Sequence, residues 1–149
     1  MALLNIRTDK DPILRQISRP ITEITPRILT LLDDMVDTMH EADGCGLAAV
    51  QVGVLRRAVV IEVEEGIIYE MINPEIIETE GHQEEQEGCL SLPDQWGITA
   101  RPMKATVKYL NRKGEAQTLT GEGLLARAIC HEVDHLDGKL FTDVVIRKE

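Results

Sequence analysis

The chain has 149 residues, 43% of them hydrophobic, with 26 acidic against 16 basic side chains and a formal net charge of −10. That length and apolar content suit a single domain, residues 1–149, built on one sizeable core. The acidic balance argues against a phosphate-binding surface, and so against direct nucleic-acid binding, while no apolar run approaches the roughly 20 residues that span a bilayer.

Met1 to Asp11 lacks the basic-then-apolar order of a signal peptide, so the cytoplasm is the expected location and no membrane partner is expected. In that reducing compartment the three cysteines, Cys45, Cys89 and Cys130, read as thiols or metal ligands rather than as a disulfide framework.

In chain order, Asp11-Pro12-Ile13-Leu14 predicts a short helical start, with an acid as cap and Pro in the first turn. Thr25-Pro26 repeats that signal ahead of Ile28, Leu31, Leu32, Met35, Val36 and Met39, whose spacings of three and four define an amphipathic helix. Asp33, Asp34 and Asp37 then face water, and the methionines belong to the core rather than to a metal site. The helix ends at Glu41-Ala42-Asp43-Gly44. In Gly44-Cys45-Gly46-Leu47-Ala48-Ala49-Val50-Gln51, two glycines flanking one residue free the backbone for close approach to a ligand. A structural turn accounts for the glycines alone; it does not account for Gln51, whose amide suits donation to a developing oxyanion.

Arg57–Glu64 and Ile67–Ile72 are β-branched runs around Glu65-Gly66, which is a hairpin pattern. Asn73-Pro74 is expected to break the pairing, with a separate strand at Glu75–Gly81. Lys104–Leu110 and Gln117–Thr120 predict a second hairpin around Asn111-Arg112-Lys113-Gly114. Between the hairpins, Glu84-Glu85-Gln86-Glu87 reads as a solvated charge run, and Cys89 follows where strand gives way to loop. Helices at both ends of an antiparallel centre make an α+β domain, with mixed, mostly antiparallel sheets packed around a C-terminal helix.

That last helix is predicted by Gly123–Ile129, a run of mostly good helix formers leading into Cys130-His131-Glu132-Val133-Asp134-His135. The pattern H-E-x-x-H places two imidazoles on one helical face for one divalent ion, with Glu132 beside it as a general base. A catalytic site of this kind needs a third protein ligand and one open position. Gly138 fits the longer motif of one protease group, but Phe141 stands where that group has its third His. Too few residues follow His135 to expect a second helix carrying a Glu. The third ligand is therefore expected upstream, among His40, His82, the cysteines or an acid. Cys89 alone reads as a core thiol, but its thiolate would complete a Cys-His-His set. Three classes fit the residues at this point: a metallohydrolase, a zinc-dependent peptidase, and a non-catalytic module with a closed fourth position. Cys130, next to His131 on the helix, should point elsewhere.

The segments Gly44–Gln51, Glu87-Gly88-Cys89-Leu90-Ser91 and His131–His135 together resemble the three signature motifs of peptide deformylases, in the same order and at similar spacing. The resemblance covers nearly the whole chain. It implies an enzyme that removes the N-formyl group from N-formylmethionyl nascent polypeptides, releasing formate, in a bacterial setting more than an organellar one. It also implies Cys89, His131 and His135 as ligands of one divalent ion, with ferrous iron expected and Zn2+, Ni2+ or Co2+ compatible. Glu132 then resembles the family's acid/base, and Gln51 and the backbone N–H of Leu90 its oxyanion donors.

For substrate binding, the resemblance points to an apolar methionine slot beside Cys45, Leu124, Arg127 and Ala128. Gly44 and Gly46 would let a peptide backbone pair alongside them. Glu87 either orients the site through a cation such as Arg101 or is an exposed acid. Cys45 departs from the family's usual Ile or Val, Cys130 from Gln, and Trp96 from the Arg of some members. A monomer is expected, and docking near the ribosome exit is in doubt because the chain ends soon after Phe141.

Overall fold

The computed structural model describes residues 2–147. The opening turn forms as a 3-10 helix, Pro12–Arg15, capped by Asp11, whose carboxylate accepts from Ile13 N–H at 3.0 Å. Helix α1 is Pro26–Glu41, capped by the Thr25 hydroxyl. Its apolar stripe is where the spacing put it: Leu32, Met35 and Met39 are fully buried against Leu47, Ala58, Val60 and Ile72. At about 1.5–3 kcal/mol per fully buried aliphatic side chain, this stripe rather than helix propensity holds α1 in place.

The strands are β1 Gly46–Ala48, β2 Ala58–Glu64, β3 Ile67–Glu80, β4 Gln83–Cys89, β5 Leu92–Arg101, β6 Lys104–Leu110, β7 Ala116–Glu122 and β8 Val145–Arg147. They form a five-stranded sheet in the order β1-β2-β3-β6-β7 and a three-stranded sheet in the order β4-β5-β8. Every strand pairing is antiparallel. Both predicted hairpins are present, and the α+β class holds.

Two local expectations are corrected. Asn73-Pro74 does not end a strand; β3 runs through it with a shift of register between Ile72 and Glu75. A bulge suits this dipeptide, because Pro lacks a ladder N–H and Asn tolerates the positive φ of 53° observed at Asn73. The Asn73 side chain then holds the Ile21 backbone at both its N–H and C=O, each at 2.8 Å. The second correction concerns the charge run, whose solvated reading holds for Glu84 to Gln86 and fails at Glu87. The run is strand β4, joined to β5 through Leu90-Ser91, with Glu84 to Gln86 exposed and both Gln83 and Glu87 buried.

Helix α2, Leu124–Leu136, packs across the five-stranded sheet, with Ala128, Ile129, Val133 and Leu136 against Ala48, Val59, Ile61, Met71 and Val107. Close approach to β7 requires Gly121, where a Cβ would lie 2.6 Å from Leu125. At the start of α2, Gln83 Nε2 donates to the Gly123 and Pro102 carbonyls, each at 2.9 Å. At its end, Arg57 Nη1 and Ser18 N–H donate to the Leu136 carbonyl at 3.1 and 2.8 Å. The helix is thereby fixed at both ends between the two sheets. Among the described residues, no helix is long and apolar enough to cross a membrane.

Candidate active site

His131 and His135 lie one turn apart on the face of α2 that looks toward β4. Their Nε2 atoms are 3.3 Å apart, and Cys89 Sγ, at the end of β4, is 3.3 Å from His135 Nε2. One donor atom from each of the three residues lies within 4.8 Å of the others. Two imidazole nitrogens bound tetrahedrally to one ion at 2.0–2.1 Å would be about 3.3 Å apart, so this donor set fits a single transition-metal ion. Among the described residues no fourth His, Cys, Asp or Glu joins the cluster, which leaves a coordination position for a small ligand. That disfavours a closed structural site. Of the other upstream candidates, His40 pairs with Glu62 and His82 with Glu84 near the surface. Cys130 is buried with Ala105 and Ala126, and burial pushes its thiol up to about 11. Phe141 stacks beside His131 with ring centroids 6.3 Å apart, closing the back of the site without ligating.

Electrostatics around the histidines are asymmetric. Burial and then the neighbouring His131 hold His135 well below its ordinary pKa, so its imidazole is neutral, and its Nδ1 has no partner among the described residues. For His131, burial favours the neutral ring, but the charge of Glu132 and hydrogen bonds with Cys89 and Glu87 outweigh it and raise the pKa well above the ordinary value. The same surroundings favour a cation at that position. His131 Nδ1 donates to Glu87 Oε2 at 2.5 Å; a carboxylate only accepts, so the hydrogen is on Nδ1 and Nε2 faces the other donors.

Glu87 is buried rather than exposed, and Arg101, the cation named for it, has Nη2 2.7 Å from Oε2. Burial pushes the Glu87 carboxyl up, but hydrogen bonds from His131 and Arg101 more than offset this and keep it well below the usual carboxylate range.

Glu132 is buried beside the cluster, and burial pushes its pKa up to about 7. One carboxylate oxygen, Oε1, has no partner among the described residues. The other lies against Gly46, where a Cβ would be 2.5 Å from Oε2, so only glycine leaves the carboxylate room. Gln51, in the 3-10 turn Ala49–Val52, accepts from Ala48 N–H at 2.9 Å and donates through Nε2 to Ser91 Oγ at 3.0 Å and toward Cys89 Sγ at 3.7 Å. Its donor end is thus turned toward the cluster.

A cavity of about 660 Å³ opens over these groups. Its walls bring together Gly44, Cys45, Gly46, Gln51, Glu87, Leu90, Arg127, Ala128, His131 and Glu132, with Leu124, 55% exposed, at the rim. Polarity patterning gave no sign of two further buried hydroxyls: Thr99, inward on β5, and Ser91, which stands inside the second motif at the β4–β5 turn. Trp96, a departure from the family's pattern, lines the cavity with its indole against Gly88, where a Cβ would lie 2.4 Å from Cζ3.

The sequence model of the polypeptide deformylase family matches residues 3–149. This chain belongs to the polypeptide deformylase family. It is 55% identical over 147 residues to the peptide deformylase of Caldanaerobacter subterraneus subsp. tengcongensis, covering 99% of this chain and 92% of the relative. It is 56% identical to that of Alkaliphilus metalliredigens over 148 residues, covering 99% of this chain and all of the other. Among solved deformylases, the Thermotoga maritima structure superposes with a TM-score of 0.94 at 38% identity, covering 97% of this chain and 99% of that one. The Synechococcus elongatus deformylase, solved with actinonin, gives 0.92 at 40% identity, covering 95% and 78% of the two chains. Membership of the deformylase family carries the activity with it: metal-dependent hydrolysis of the N-formyl group of formylmethionyl polypeptides.

Proposed function

We propose that deformylation takes place in the cavity above Cys89, His131 and His135, with these three residues holding one divalent ion. The observation that carries this reading is the convergence of a β4 thiol and two α2 imidazoles beside a buried, unpaired carboxylate. The ion would supply Lewis acidity, polarising the formyl carbonyl and acidifying the attacking water. Glu132 takes the proton from that water and returns it to the departing amine. Its raised pKa and its confinement by Gly46 suit a group that must hold and release a proton at one place. The Gln51 amide and the Leu90 backbone N–H face the developing oxyanion.

Free edges position the substrate. β1 ends the larger sheet and β4 ends the smaller one, and residues of both line the cavity, so an extended peptide can pair along them. The methionine side chain enters beside Cys45 and Ala128 and the aliphatic stem of Arg127, with Leu124 at the entrance. Ferrous iron is the resident ion in this reading on the strength of the family resemblance, since two imidazoles and a cysteine sulfur suit Fe2+, Zn2+, Ni2+ and Co2+ alike. The chain acts as a single catalytic domain, residues 1–149, and as a monomer in the bacterial cytoplasm, on formylmethionyl polypeptides. By the same cavity it binds actinonin.

Formate release from formyl-Met-Ala-Ser by the iron- or nickel-loaded protein tests the assignment. Glu132→Ala should lower kcat by about 10²–10⁴ while retaining the parent's metal content. An active Glu132→Ala protein would remove the carboxylate from the chemistry.

A further inference from the structure

Arg127 is on the cavity wall, yet both terminal nitrogens of its guanidinium are engaged within the protein. Nη1 donates to Glu87 Oε1 at 2.7 Å and to Thr99 Oγ1 at 2.5 Å, and Nη2 donates to the Thr99 carbonyl at 3.4 Å. The Thr99 hydroxyl in turn donates to the same Glu87 oxygen at 2.7 Å. Arg101 grips Glu87 from the other side, with Nε 3.2 Å from Oε1 and Nη2 2.7 Å from Oε2, and its Nη1 reaches Asp134 Oδ2 at 2.8 Å. Two guanidiniums and two carboxylates leave this largely buried network without net charge.

The placement of these groups matters more than their number. Glu87 is two residues before Cys89 on β4, and Arg127 is one helical turn before His131 on α2. Their ion pair therefore joins the two elements that carry the metal ligands. Arg101, from β5, provides a crosslink to the same helix at Asp134, one turn further along. A carboxylate held at Oε1 by Arg127 and Thr99, and bidentately by Arg101, has one direction left for Oε2, and that direction is His131 Nδ1.

We propose that Arg127 and Thr99 are positioning residues for the metal centre: by locking Glu87 Oε1 they aim Oε2 at His131 and hold β4 in register with α2. The proposal rests on the ligand assignment above. It also changes what Arg127 offers a substrate, because a guanidinium whose Nη1 and Nη2 are held by Glu87 and Thr99 meets the slot chiefly through its methylene stem.

The test uses the full-length protein loaded with Co2+, comparing the parent with R127M, R127K and T99V. Measured quantities are the rate of cobalt release to a chelator, the visible ligand-field spectrum, and kcat and KM on formyl-Met-Ala-Ser. R127M and T99V should release cobalt about 10–100-fold faster than the parent, with altered spectra. Their kcat should fall while KM stays within about twofold. R127K, which keeps the charge but loses the forked donor, should be intermediate. Cobalt release and spectra equal to the parent's, combined with a raised KM, would overturn the proposal and make Arg127 a slot wall only. If R127M does not fold by circular dichroism, T99V decides, since it deletes a hydroxyl and leaves every charge in place. A parent protein that binds cobalt but releases no formate would overturn the active-site reading, while the release rates would still judge this one.

Discussion

Gly46 and Glu132 show how one missing side chain shapes the chemistry. A methyl at position 46 would have to share space with Glu132 Oε2, and the cheaper adjustment is for the flexible carboxylate to move. Gly46→Ala should therefore fold with a melting temperature near the parent's and lose about 10²-fold in kcat, the scale of an ångström of misplacement. Glu87 yields a prediction about pH. Its folded pKa is depressed, so its contribution to stability is present above the ordinary glutamate value of about 4.3 and is lost as pH falls through the folded value. Urea unfolding from pH 7 down to pH 3 should show stability declining below about pH 5 in the parent and declining less in Glu87→Gln. At pH 7 that variant should already be about 3–5 kcal/mol less stable, because Arg101 and Arg127 lose their shared anion. The histidine pair was legible in the sequence because helical spacing alone puts it on one face. The burial of Glu87 against Arg101 was legible only as one of two alternatives, because a glutamate in an acidic run reads as solvated until its strand partner is known.

Among the elements, α1 and the two outer hairpins could be read from apolar spacing and turn residues. The β4–β5 hairpin could not: its inward residues include Gln83, Glu87, Thr99 and Arg101, so alternation of polarity, the usual mark of a strand, is absent. The bulge at Asn73 was hidden for a related reason, since Asn-Pro signals a break unless a distant backbone, here that of Ile21, makes use of it. Helix α2 depends on its ends as much as on its face. Arg57 caps its C-terminus through the Leu136 carbonyl and an ion pair with Asp137 at 3.0 Å. Arg57→Ala should destabilise the protein by about 1–2 kcal/mol, measured by chemical denaturation, with a smaller effect on kcat than Gly46→Ala.

At the level of the whole molecule, the packing of α2 on the larger sheet does not involve His131 or His135, the proposed metal ligands on that helix. The apolar cluster of Ile129, Val133 and Leu136 with the sheet is complete without them. Removing the ion with a chelator should abolish formate release and leave the far-ultraviolet circular dichroism unchanged. Restoring it at about 100 times its dissociation constant should add about 2.7 kcal/mol of stability, read as a rise of several degrees in melting temperature. A sequence can name the donors of such a centre, but the distance between β4 and α2 is set by long-range packing that no local pattern encodes.

Placing the Cys89 sulfur and the two imidazoles on different elements, far apart along the polypeptide, also constrains assembly order. The histidine pair is available as soon as the last helix coils, but two donors alone grip an ion weakly. Tight capture must wait for the hairpin to dock, so the newly made chain should finish its topology before it acquires its metal.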